Sequence, residues 1–219
     1  MQRDLKQKFG IIELPELGCN YWSIPKCGNT SIKYGCLRAS GLEIETDEDD
    51  IYASLHDLGV ARYIDMTMAL ENGFFNFSVV RNPIQRALSM YHDFAYKRKG
   101  KAVGGSGEFV LAWEQLIASE STFSDFVSLL LQFDEADVDM HFRSYKPRLS
   151  SDDGRVIPAV FCLEDMPRWL PMLNSRLKRP VKIPHVNRTD TDLAASTKDA
   201  VNLRKIWKDD FSLWSRHKR

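Results

Sequence analysis

The sequence predicts an α/β fold: a three-layer sandwich with a central, largely parallel sheet flanked by helices. Three observations carry this. A strand, a turn and a helix follow one another three times along the chain. Helical patterns separate the strands, and such alternation builds parallel strands covered on both faces. The 219 residues are 43% hydrophobic and 27% charged, the composition of an ordinary globular protein able to fill a core. Residues 1–219 are accordingly read as one domain.

The first strand is apolar through Tyr21, Trp22 and Ile24, turns over Pro25 to Asn29, and leads into a helical run from Ser31 to Leu37. The second, Phe74-Phe75-Asn76-Phe77-Ser78-Val79-Val80, is rich in aromatic and β-branched residues. Asn82 as N-cap and Pro83 at the first helical position then start a helix through Ala87, Leu88, Tyr91 and Phe94. The third strand is Ala159 to Leu163, with Asp165 as a cap and Pro167 near the start of its helix. Between the second and third segments, Trp113, Leu116 and Ile117 suggest a shorter helix. Thr122 and Asp125 then cap a second one that carries Phe123, Phe126, Val127 and Leu130 on one face. From about Ala194 to Trp214, the residues Val201, Leu203, Ile206, Trp207, Phe211 and Trp214 mark a last amphipathic stretch whose aromatics anchor a core. Gly100 to Gly107 reads as a flexible loop over a site.

Thirty basic and thirty acidic residues leave no formal net charge. That balance argues against nucleic acid as a partner and leaves room for a small anion at a local cluster. The charge is nonetheless uneven. Residues 41–57 hold seven acidic groups and no Lys or Arg, and Lys97 to Lys101 is a basic run. No apolar stretch approaches the roughly 18 residues of a membrane span, and the N-terminus has no apolar signal centre. A cytoplasmic location without membrane insertion is the expectation. Cys19, Cys27, Cys36 and Cys162 have no zinc-like spacing and are expected as reduced thiols. The five histidines are scattered, so no metal is expected.

Two turns carry the functional signal. In Ile24-Pro25-Lys26-Cys27-Gly28-Asn29-Thr30-Ser31, a strand-to-helix turn would aim the amides of residues 28–31 and the positive helix end at an anion. Gly28 allows close approach, the hydroxyls of Thr30 and Ser31 can donate to phosphate oxygens, and Lys26 adds a full charge. The plain alternative is an ordinary βα turn with Thr30 or Ser31 capping the helix. The pattern is not a Walker A loop. The second turn places Arg81 at the carboxyl end of a strand, where open parallel sheets bind ligands, with Ser89 eight residues later. Arg86 is either an alternative basic contact or a solvated helix residue. Two anion-binding turns suit a ligand with two separated anionic groups.

The segments IPKCGNTSIK and FSVVRNPIQRALSMYHDF resemble the two nucleotide-binding motifs of sulfotransferases that use 3′-phosphoadenosine 5′-phosphosulfate (PAPS). The likeness is closest to the Golgi carbohydrate sulfotransferases and their bacterial relatives, and implies a P-loop-like fold. On that resemblance Lys26, Cys27, Gly28, Asn29, Thr30 and Ser31 form the 5′-phosphosulfate loop, while Arg81 and Ser89 take the 3′-phosphate. Arg188 lies where the family has a further loop near the donor. Phe161-Cys162-Leu163-Glu164 is similar to the family's later strand, and Ile206 to Trp214 to its closing acidic-aromatic helix. The resemblance implies sulfuryl transfer to a hydroxyl acceptor, a small molecule or a carbohydrate, with no metal.

Lys26 is then the residue that stabilises charge on the leaving phosphate. His56, between the two motifs, is the first candidate for the base, because an imidazole near neutral pKa can accept the acceptor proton. His141 is its rival. Asp139-Met140-His141-Phe142 resembles the family's Asp-x-His-Trp element, although Arg143-Ser144-Tyr145 does not reproduce the Pro-Gln that comes next in the family. Arg143, Lys146 and Arg148 stand either as an attractor for an acidic glycan or as a solvated ridge. The alternative functions are a nucleotide kinase or other phosphotransferase with a divergent phosphate loop, and a noncatalytic nucleotide-binding module.

Overall fold

The structure, a computed structural model, describes residues 10–42, 61–97, 102–119, 121–184 and 193–218. In chain order its strands are β1 (Ile11–Leu14), β2 (Cys19–Trp22), β3 (Arg62–Ile64), β4 (Phe75–Val80) and β5 (Ala159–Cys162). Its α-helices are α1 (Asn29–Ala39), α2 (Met66–Glu71), α3 (Pro83–His92), α4 (Gly107–Ala118), α5 (Phe123–Leu130), α6 (Met166–Asn174), α7 (Thr197–Ile206) and α8 (Lys208–His217). The chain divides into two compact units. One comprises Met1–Val80, Arg148–Arg188 and His217–Arg219; the other comprises Arg81–Pro147 and Thr189–Arg216.

The first unit holds a five-stranded sheet in the order β3-β1-β2-β4-β5. Strands β2, β4 and β5 run parallel, but β1 is antiparallel to both of its neighbours. The sheet is therefore mixed rather than largely parallel. The reason is local: β1 and β2 are separated only by Pro15 to Gly18, too short for a crossover, and Gly18 takes φ 67 to close the turn. The sequence pattern did not reveal β1, whose four residues are all buried and show no alternation.

Alternate strand residues face opposite ways. Ile12, Leu14, Cys19, Tyr21, Phe77 and Val79 share one hydrophobic cluster with Ile32, Cys36 and Leu37 of α1 and Trp169 and Leu173 of α6. The opposite face carries a polar patch beside apolar residues such as Trp22 and Val80. The register aligns Glu13, Asn20 and Asn76 across three strands. Asn20 Nδ2 donates to Asn72 Oδ1 at 3.0 Å and to Ala69 O at 3.1 Å, and Asn72 Nδ2 donates to Glu13 Oε1 at 2.9 Å. Helix α2 and its cap Asn72 thus meet that patch through hydrogen bonds.

The second unit is helical around an aromatic core. Phe142 lies 5.0 Å from Phe94, 5.4 Å from Trp113 and 5.3 Å from Phe126, ring centre to ring centre. Asn82 caps α3 from its side chain with Pro83 in the first turn, and Thr122 and Asp125 form a capping box on α5, both as the sequence predicts. Two expectations change. Helix α4, with 12 residues, is longer than the eight-residue α5. The last amphipathic stretch is broken at Trp207, which leaves helical geometry at φ −118 and ψ 45 and donates from Nε1 to Phe142 O at 3.1 Å.

Candidate functional site

Strand β2 is followed by a route to β3 on one side of the sheet, whereas β4 is followed by a route to β5 on the other. The order thus reverses between β2 and β4, which are adjacent and parallel. In α/β sheets, ligands bind beyond the carboxyl ends of strands at such a reversal. The turn from Ser23 to Gly28 begins at that end of β2, and β4 ends there at Val80.

The turn is built from unusual backbone. Lys26 has φ 64, the one non-glycine residue with positive φ among the described residues, and Gly28 has φ 75. A lysine in the left-handed region stores strain of about 1–2 kcal/mol. Gly28 is required twice over. Besides its φ, a Cβ there would lie 2.8 Å from Leu163 Cδ1, just after β5. Gly28 is also the N-cap of α1 and offers no side-chain hydrogen bond. Thr30 and Ser31 lie inside the first turn rather than at the cap, so neither is the capping residue that an ordinary βα turn would need. Ser23 Oγ donates to Asn29 Oδ1 at 2.9 Å and braces the helix start. Cys27 is fully buried, so its thiol packs into the interior.

Beyond β4, Asn82 Oδ1 accepts from the amide of Ile84 at 2.9 Å and fixes the start of α3 directly after Arg81. Ser89, seven residues past the cap, lies two turns up the helix on the cap's side, and is buried. Arg86 is neither a solvated residue nor a surface contact: it is completely buried.

His141 sits in an irregular stretch of the second unit whose geometry is set by Asp139. Its Nδ1 lies 2.7 Å from Asp139 Oδ1, and its own amide donates to the same oxygen at 2.8 Å. Asp139 Oδ2 accepts from the amide of Gly104 at 2.5 Å. Burial raises the Asp139 pKa, but the bonds from His141 and Gly104 outweigh it and hold the carboxyl below its ordinary value. A carboxylate at Nδ1 keeps a proton there, which leaves Nε2 of the neutral ring as the basic nitrogen. Phe94 packs edge-on against the ring at 5.1 Å. Gly104 and Gly105, expected as part of a flexible loop, pin this arrangement. A Cβ on Gly105 would lie 2.4 Å from Asp137 O.

The structure thus gathers Lys26, Cys27, Gly28, Asn29, Thr30 and Ser31 in one turn of the first unit, and sets Arg81, Ser89 and His141 in the second. His56 and Arg188 lie outside the described residues. Glu164 is exposed in the short turn after β5. Of the basic ridge, Arg143 donates to the carbonyls of Ala136 and Val138, and Lys146 pairs with Asp209 at 3.2 Å. Sequence reasoning missed Ser23, the contact between Gly28 and Leu163, and the burial of Arg86. Only the Asp-x-His spacing carried a local signal, since an aspartate readily accepts from the amide two residues on.

Among the described residues no three His, Cys, Asp or Glu side chains form a metal-binding group, and no helix is long and apolar enough to cross a membrane. A profile of the sulfotransferase family matches residues 15–215, nearly the whole chain. No curated protein and no solved structure matches it. The chain belongs to the sulfotransferase family.

Proposed function

We propose that this sulfotransferase moves a sulfuryl group from PAPS to a hydroxyl of a carbohydrate and releases adenosine 3′,5′-bisphosphate. The observation that carries the reading is the strained turn at Lys26, lying where the strand order reverses. Strain kept in an anion-binding turn serves function rather than stability. Lys26 and the amides of Gly28 to Ser31 hold the phosphosulfate, and Arg81 and Ser89 hold the 3′-phosphate. The local features of each turn support the reading: one leads with a lysine into a helix start without a side-chain cap, and the other follows β4 with an arginine.

In the reaction the acceptor oxygen forms a bond to sulfur as the bond from sulfur to the bridging phosphate oxygen breaks. Lys26 stabilises the negative charge that develops on the leaving phosphate. His141 takes the acceptor proton on Nε2, while Asp139 supports the imidazolium from Nδ1. His56 is the competing base.

The test is sulfate transfer from labelled PAPS to sugars, oligosaccharides, nucleotides and simple alcohols, with calorimetric titration of adenosine 3′,5′-bisphosphate and of ATP-Mg²⁺. Saturable bisphosphate binding and transfer to a sugar are expected. Preference for ATP would overturn the reading in favour of a phosphotransferase. Donor binding without transfer would leave a noncatalytic nucleotide-binding module. Loss of turnover in His56→Ala but not in His141→Ala would move the base to His56.

A further inference from the structure

The stretch from His141 to Lys146 has little regular structure, yet side chains from elsewhere in the unit satisfy many of its backbone polar groups. Arg86 Nη2 donates to His141 O at 3.0 Å and to Arg143 O at 2.8 Å. Trp207 supplies the donor for Phe142 O. Asp210 accepts from the amides of Tyr145 and Lys146, each at 2.9 Å, and from the Ser144 hydroxyl. The amide of Ser144 donates to Glu135 Oε1 at 2.6 Å. Arg86 Nη1 lies 3.6 Å from Asp210 Oδ2, and both side chains are fully buried. The guanidinium centre lies 5.3 Å from the rings of Tyr145 and Trp207.

Burying an arginine and an aspartate is expensive, and apolar residues of similar volume often stabilise a fold as well or better. Apolar replacements here would orphan the carbonyls of His141 and Arg143 and the amides of Tyr145 and Lys146. The pair therefore does something packing cannot: it fixes the path of a polar loop.

We infer that Arg86 is a positioning residue for His141, an inference that rests on the role proposed above for that histidine. Arg86 lies on the helix that begins beside Arg81 and carries Ser89. The helix and the turn that leads into it thus carry the two side chains proposed for the 3′-phosphate, and the same helix sets the backbone of the proposed base. Asp139 fixes the direction of the imidazole, and Arg86 fixes the point from which it projects.

The test uses Arg86→Lys, which keeps a positive charge beside Asp210 but loses the planar fork that reaches two carbonyls. Turnover is expected to fall about 10- to 100-fold, the size of effect that a small misplacement causes, with bisphosphate affinity changed less than about twofold. In a His141→Ala background the same substitution is expected to cause no further loss. The ¹⁵N signals of the His141 ring are expected to shift in Arg86→Lys. Equal losses in both backgrounds, or unshifted ring signals, would overturn the inference. A parallel fall in bisphosphate affinity would also overturn it and make Arg86 a donor contact. If Arg86→Lys does not fold, Asp210→Asn, which keeps one acceptor oxygen but removes the charge facing the guanidinium, must show the same dependence on His141. Full turnover in His141→Ala alone would refute the underlying role, and is distinguishable because it needs no change at Arg86.

Discussion

The turn at Lys26 and the loop at His141 are both irregular, but they are held in opposite ways. The turn is a backbone device: a left-handed lysine, a glycine cap that supplies no side chain, and a close approach to Leu163. The loop is a side-chain device, in which Arg86, Asp139, Trp207 and Asp210 satisfy backbone groups that no strand or helix does. The difference teaches where each is vulnerable. A backbone-built turn tolerates loss of a side chain without unfolding, and in its proposed role at the donor it loses function. A loop built on buried charge loses its fold first.

The largest effect is expected on the loop. Asp210→Ala leaves Arg86 buried without its counter-charge and removes the acceptor for two amides, so stability should fall by about 3–5 kcal/mol in denaturant unfolding. A loss under about 1 kcal/mol would show that the loop is held by its aromatic packing instead.

Next is Lys26→Ala, which should lower transfer about 100-fold while the melting temperature stays near that of the parent. Lys26→Gly sharpens the contrast. It relieves the left-handed strain, so it should be at least as stable as Lys26→Ala and equally inactive. Greater stability in the alanine variant would mean that φ 64 is not strained.

Gly28→Ala should cost about 2 kcal/mol, from the left-handed conformation together with the overlap on Leu163. It should also weaken bisphosphate binding in calorimetry. A companion Leu163→Ala change should restore part of the stability and little of the binding.

The smallest effect concerns acid. Asp139 is held below its ordinary value, so its ionised form favours the folded state. Its contribution is full above the unfolded aspartate pKa, roughly 3.9, and is lost as pH falls through the lower folded value. Asp139→Asn should therefore unfold with a shallower dependence on acid below about pH 4. An unchanged acid profile would mean that the bonds from His141 and Gly104 do not favour the carboxylate.

Much of this protein was legible in the sequence because its signals are local. The cap at Asn82 with Pro83, the capping box of Thr122 and Asp125, and the strand at Phe75–Val80 depend on neighbours within a few residues, and each is present in the fold. The order of the two motifs sufficed for a resemblance that the family match supports at the level of sulfotransferases. Strand β1 was not legible, since a short, wholly buried strand has no alternation to detect. Arg86 and Asp210 were not legible either, because arginine and aspartate on helices usually face solvent.

By itself the sequence determined where α3 and α5 begin and that the segments of β2, β4 and β5 run as strands, since caps and β-branching act over a few bonds. Tertiary structure alone decided that the sheet is mixed, that the order reverses between β2 and β4, and that an arginine 55 residues upstream of His141 holds its carbonyl. Those outcomes depend on which distant groups meet once water is excluded. There a buried donor must find an acceptor wherever the chain supplies one.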